Sequence, residues 1–167
     1  MLAFIGLSAN AQSWWQENSE TFSKLRNINF ADNNTGWIFG DSTIGPAFQT
    51  GIIKKTTNQG LTWTAQDMGS DSIQILSSYA FSTSEVIAVG KFQTTGDGAV
   101  IKTTDGGVTW TKDTSSVPER LFDVDFVSSD NGWIVGRNGY LGKSINGGTT
   151  WSAQPTGTGA ALFSVDF

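Results

Sequence analysis

One octapeptide, met three times, sets what this chain can fold into. Thr56-Thr57-Asn58-Gln59-Gly60-Leu61-Thr62-Trp63 returns as Thr103-Thr104-Asp105-Gly106-Gly107-Val108-Thr109-Trp110 and again as Ser144-Ile145-Asn146-Gly147-Gly148-Thr149-Thr150-Trp151. The closing tryptophans stand 47 and 41 residues apart, and Trp14 lies 49 residues before the first of them. Three more landmarks keep the same order. A Leu stands five residues before a Phe in Leu25/Phe30, Leu76/Phe81, Leu121/Phe126 and Leu162/Phe167. An apolar run closes on glycine in Gly36-Trp37-Ile38-Phe39-Gly40, Val86-Ile87-Ala88-Val89-Gly90 and Gly132-Trp133-Ile134-Val135-Gly136. A Gly-x-apolar-x-Lys element follows at Gly51/Ile53/Lys55, Gly98/Val100/Lys102 and Gly139/Leu141/Lys143. A fixed period of this length marks a repeat architecture, whose units bury their apolar faces only against one another.

Each unit reads as four short strands, at about 120–127, 132–137, 139–144 and 149–153 in the third copy. Four antiparallel strands per unit of 40–50 residues make the blade of a β-propeller. The expected fold is therefore all-β, with blades over 19–66, 67–113 and 114–155 and the start of another at 156–167. That is three complete blades with partial ones at each end, an arc of a seven-bladed ring with further blades expected beyond Phe167. A blade halted in its first strand would leave an open edge, which native sheets avoid. The composition agrees: 20 Gly and 3 Pro in 167 residues suit tight turns between short strands.

The octapeptide falls between the third and fourth strands. Asn58, Asp105 and Asn146 carry short side chains that bond backbone amides two residues on, and Gly60, Gly107 and Gly148 supply a positive φ. Thr56, Thr103 and Ser144 open the unit; Trp63, Trp110 and Trp151 begin the outer strand and bury a ring on the neighbouring sheet. Two of the three copies carry neutral Asn where one carries Asp, so a carboxylate or metal role is not expected there.

At this point the residues resemble a known family. The turn unit is the Asp-box, or BNR repeat. The longer pattern Leu121-Phe122-Asp123-Val124-Asp125-Phe126, Gly132-Trp133-Ile134-Val135-Gly136 and the box that follows resembles the photosystem II assembly and stability factors. The resemblance implies a non-enzymatic scaffold that binds a protein or polypeptide partner. Secreted or cell-surface bacterial propellers unrelated to photosynthesis share the domain, and some Asp-box propellers are glycosidases such as sialidases.

The chain has no Cys and no His, which excludes disulfides, thiol nucleophiles and histidine acid–base chemistry. No cofactor, metal or catalytic set is expected. Three Arg, two Tyr and four Glu occupy no sialidase-like motif; Asp123 and Asp125 offer a pair of carboxylates, but the equivalent positions in the other blades are Ser78/Ala80 and Asn27/Asn29, so a catalytic role is not expected. A net charge of −5 with no basic cluster in sequence gives no ground for nucleic-acid binding, and no segment has the ~20 apolar residues of a membrane helix. Met1-Leu-Ala-Phe-Ile-Gly-Leu-Ser-Ala-Asn-Ala11 reads as a truncated signal peptide ending in a small-x-small site. It implies export to the periplasm, cell surface or medium, or to a thylakoid lumen in a photosynthetic host.

Binding is expected on the face carrying the second-to-third-strand loops, whose lengths vary over 41–50, 91–97 and Arg137-Asn138, and the linkers 66–74, 112–120 and 152–160. Arg26, Arg120 and Arg137 are the candidate cationic anchors for a partner's carboxylates.

Overall fold

The computed structural model describes residues 24–44, 48–69, 72–113 and 117–167. The expected signal peptide and the Trp14 landmark lie outside them. The described residues form three four-stranded antiparallel sheets, each with its strands in chain order. Blade 1 holds β1 (Lys24–Phe30), β2 (Gly36–Ile44), β3 (Phe48–Thr56) and β4 (Thr64–Gln66). Blade 2 holds β5 (Ile73–Ala80), β6 (Val86–Phe92), β7 (Gly98–Thr103) and β8 (Thr111–Asp113). Blade 3 holds β9 (Leu121–Phe126), β10 (Gly132–Gly136), β11 (Leu141–Ser144) and β12 (Ser152–Gln154). The inner strands β1, β5 and β9 are neighbours in turn, as blades around one axis require.

Two apolar seams hold the blades together. Trp37, Phe39 and Ile53 of blade 1 pack on Ile73, Ile75, Val86, Ala88 and Ile101 of blade 2. Ile87, Val89 and Val100 of blade 2 pack on Leu121, Val124, Phe126, Ile134 and Trp151 of blade 3. Side chains alternate across a strand, so Val86 and Ala88 serve one seam while Ile87 and Val89 serve the other. This is why the second strand reads as an unbroken apolar run: both of its faces are buried. Each fully buried Ile, Leu or Val contributes about 1.5–3 kcal/mol by its removal from water. On blade 1, by contrast, Leu25, Ile28 and Phe30 are 45%, 59% and 42% exposed. Their counterparts Leu121, Val124 and Phe126 are 0%, 4% and 4% exposed, and among the described residues no blade covers the face of blade 1.

The motif glycines Gly40, Gly90 and Gly136 mark where each inner strand bulges. The register slips between Leu25 and Asn27, between Ile75 and Ser77, and between Val135 and Gly136. A methyl on any of the three glycines would run into the carbonyl oxygen of Lys24, Gln74 or Arg120. The bulge residue of each blade (Arg26, Leu76 or Phe122) is the one the ladder skips, and such residues are re-aimed out of the pleat.

The structure departs from the sequence reading in four places. Leu76 and Phe81 are not the counterparts of Leu121 and Phe126. Ile75 pairs with Gly90 and Ala80 with Val86, so Ile75 and Ala80 hold those positions. Residues 41–50 are mostly strand, because the β2–β3 ladder continues to Ile44↔Phe48. Residues 137–139 are a 3-10 turn with Asn138 at φ 56°, and the strand resumes at Leu141. The outer strands begin one residue after Trp63, Trp110 and Trp151, since the box turn runs through the tryptophan.

Candidate functional site

The boxes are turns organised by a buried hydroxyl. Thr103 Oγ1 accepts the amide of Gly107 at 2.8 Å and that of Asp105 at 3.4 Å, and donates to Asp105 Oδ1 at 2.8 Å. Thr56 does the same for Gly60, Asn58 and the Asn58 side chain, and Ser144 for Gly148, Asn146 and the Asn146 side chain. The Asx side chains accept amides four residues on, at Thr62, Thr109 and Thr150, rather than two. The hydroxyl takes the nearer amides, which leaves the longer reach to the Asx. Gly60, Gly107 and Gly148 sit at φ 90°, 92° and 77°, and the residue before each (Gln59, Gly106 or Gly147) is also left-handed. Asp105 is exposed and its carboxyl is lowered to about 2, chiefly by the Thr109 hydroxyl, then by the Thr109 amide and the Thr103 hydroxyl. All three boxes lie on the face of the first-to-second-strand loops, to which they are tied by Gln59 N–Asn34 O, Gly106 N–Ser84 O and Gly147 N–Asp130 O.

The inner strands are laced to one another by short polar side chains. Asp123 Oδ1 accepts the Ser77 hydroxyl at 2.6 Å from blade 2. Its Oδ2 accepts the Ser164 hydroxyl and the Val165 amide, at 2.9 and 3.0 Å, from the segment beyond blade 3. Asp125 Oδ2 accepts the Phe167 amide at 2.9 Å. Asn29 donates to the Ser78 carbonyl at 2.9 Å, and the Ser78 hydroxyl bonds Asn27. By register the counterparts of Asp123 and Asp125 are Ser77/Tyr79 and Asn27/Asn29, which corrects Ser78/Ala80. Among the described residues no group of three His, Cys, Asp or Glu is placed to hold a metal ion.

Toward the other end of the strands stand Arg26, Arg120 and Arg137, with Glu119 among them, whose carboxylate accepts the Asn138 side-chain amide at 3.0 Å. Arg120 precedes β9 and Arg137 opens the 3-10 turn, with the Arg137 amide donating to the Arg120 carbonyl at 2.9 Å. Arg26 sits at the β1 bulge, where its guanidinium forms an ion pair with Asp41, whose side chain is fully buried. Arg120 Nη2 donates to Gln74 Oε1 at 3.0 Å, and its guanidinium lies 5.1 Å from the Phe122 ring. Its Nε is buried with no partner among the described residues. The Arg120 guanidinium holds its proton less tightly than usual, first through burial and then through the fields of Arg26 and Arg137. Arg remains charged at neutral pH, and only Arg26 among them has a carboxylate partner in the described residues. Two further cations occupy the same register level and carried no signal in the sequence reading. Lys24 pairs with Asp41 across the β1–β2 ladder, and Lys91, next to Gly90, pairs with Gln74. The informative sign was their place beside the bulge landmarks.

Comparison with known proteins agrees with this architecture. The family model for the photosynthesis system II assembly factor YCF48 matches residues 68–145. Several solved structures resemble the chain, two of them as follows. One is YCF48 bound to D1 peptide, at 16% identity and a TM-score of 0.66, over 85% of this chain and 43% of that one. The other is YCF48 from Cyanidioschyzon merolae, at 21% identity and a TM-score of 0.57, over 78% of this chain and 37% of that one. The chain therefore spans about two-fifths of the length of either structure. No curated protein matches it. The fold is a β-propeller, and the chain resembles the photosystem II assembly-factor propellers in repeat and architecture.

Proposed function

We propose that this arc is a non-catalytic binding module of the photosystem II assembly-factor kind, which seats a carboxylate-bearing polypeptide on the arginine face. The observation that carries the reading is that Arg120 and Arg137, joined by the bond from the Arg137 amide to the Arg120 carbonyl, have no carboxylate partner among the described residues, while Arg26 is paired with Asp41. A like-charged cluster held together by the fold is the electrostatic complement of an anionic partner. Arginine forks suit carboxylates because two parallel N–H groups meet two oxygens. The similar propeller that holds a D1 peptide supports a polypeptide as the partner class. Catalysis has no part in this reading. Asp123, in the nearest approach to a glycosidase pair, has both oxygens occupied by Ser77, Ser164 and Val165, and Asp125 accepts the Phe167 amide through Oδ2. The apolar start ending Ala9-Asn10-Ala11 supports an exported location, which fractionation of cells expressing the natural gene would test.

Fluorescence anisotropy with a labelled D1 peptide tests the reading. Arg120→Ala and Arg137→Ala are each expected to weaken binding about tenfold or more, the usual scale of a lost charge-assisted hydrogen bond. Raising the salt should weaken the parent protein further. The same peptide with its carboxylates converted to amides should bind no better than the variants do. Equal binding by parent and variants would refute the assignment.

A further inference from the structure

The lysines of the Gly-x-apolar-x-Lys element have no role in the function above, yet two of them make the same unusual contact. Lys55 Nζ in blade 1 donates to the Gly106 carbonyl, in the box of blade 2, at 2.8 Å. Lys102 Nζ in blade 2 donates to the Gly147 carbonyl, in the box of blade 3, also at 2.8 Å. Each ammonium is backed by an aromatic ring. Lys55 lies 4.9 Å from the Trp37 centroid, its cross-strand partner. Lys102 faces Ile87 across the ladder instead, and its ring, 5.6 Å away, comes from Phe81. The receiving carbonyls belong to Gly106 and Gly147, the first left-handed residues of their turns at φ 74° and 64°. A side chain at Gly106 would crowd the Lys55 ammonium, since its Cβ would stand 2.8 Å from Nζ.

We infer that these lysines are clamps between blades, each fixing the Asp-box turn of the following blade onto the one before. The contact is directional: it couples blade n to the box of blade n+1, never to its own. It also joins the period's fourth landmark to its first, so one sequence repeat encodes both halves of the clamp. Lys143 has the first half, 5.2 Å from the Trp133 ring, and meets no box turn among the described residues. It is a control within the same chain.

Hydrogen exchange on Lys55→Met, Lys102→Met and Lys143→Met distinguishes a clamp from general weakening. Lys102→Met should speed exchange about tenfold across 146–150 while leaving 105–109 unchanged. Lys55→Met should do the reverse, and Lys143→Met should change neither box. Lys102→Arg, which keeps a donor and a cation, should restore protection at 146–150. Glu85→Gln removes the 2.8 Å ion pair that Lys102 also makes and should leave that protection in place. Faster exchange in a variant's own box, or equal loss in both boxes, would overturn the inference. So would an effect of Glu85→Gln as large as that of Lys102→Met.

Discussion

Replacing Thr103 by valine tests the claim that a buried hydroxyl, and not the Asx side chain, is the hub of each box. The swap conserves shape, so it opens no cavity, and Thr103 is only 1% exposed. It removes the acceptor of the Gly107 amide at 2.8 Å, a group in a buried turn, and the donor to Asp105 at 2.8 Å. A buried amide left unpaired costs about 1–3 kcal/mol, and the lost bond to the charged carboxylate is partly recovered by water because Asp105 is exposed. The sum is about 2–3 kcal/mol. For a chain of this size that corresponds to a fall in Tm of roughly 5–10 °C. Urea unfolding followed by tryptophan fluorescence reads the change, with Thr103→Ser as the partner variant. Serine already fills this place in the third box, at Ser144, and should cost under about 1 kcal/mol. Valine within about 0.5 kcal/mol of the parent, or serine as damaging as valine, would refute the reasoning.

The glycines and the Asp105 carboxyl give further expected outcomes. Gly90→Ala should destabilise by about 3 kcal/mol in denaturant unfolding, because its methyl meets the Gln74 backbone carbonyl. Gly159→Ala, with open space around it and no left-handed φ, should be neutral or slightly stabilising. The Asp105 carboxyl is depressed from 3.8 to about 2, so the order it lends its box is fully present above pH 4 and lost as the pH falls toward 2. Amide exchange at Thr109 should accelerate over that window, and Asp105→Asn should abolish the window, since the Asn58 and Asn146 boxes have nothing to titrate. A carboxyl resonance that titrates at 3.8 would contradict this.

The fold was legible because each blade repeats four landmarks in one order, and a period of 41–49 residues leaves few architectures open. What the sequence hid were bulges and convergence. In 75–81, Ile75 and Leu76 are both apolar, as are Ala80 and Phe81, so a one-residue bulge cannot be placed from alternation alone. Residues 41–50 read as a loop because they fall between two landmarks, yet 41–44 and 48–50 extend the β2–β3 ladder. The hydroxyls of Thr56, Thr103 and Ser144 were visible as landmarks, while their part as double acceptors depended on where the turn folds back. Arg26, Arg120 and Arg137 were singled out one by one as candidates, whereas the register level of Lys24 and Lys91 beside the bulges is set by strand pairing that the sequence does not display.

The central claim is that a polypeptide's carboxylates are met on the arginine face and not on the box face. Hydrogen exchange of the protein with and without saturating D1 peptide tests it most directly. The account predicts new protection at 24–27, 119–122 and 136–140, with the boxes at 57–62, 104–109 and 145–150 unchanged, and loss of that footprint in Arg120→Ala. Protection centred on the boxes, or a footprint that persists undiminished in Arg120→Ala, would contradict it.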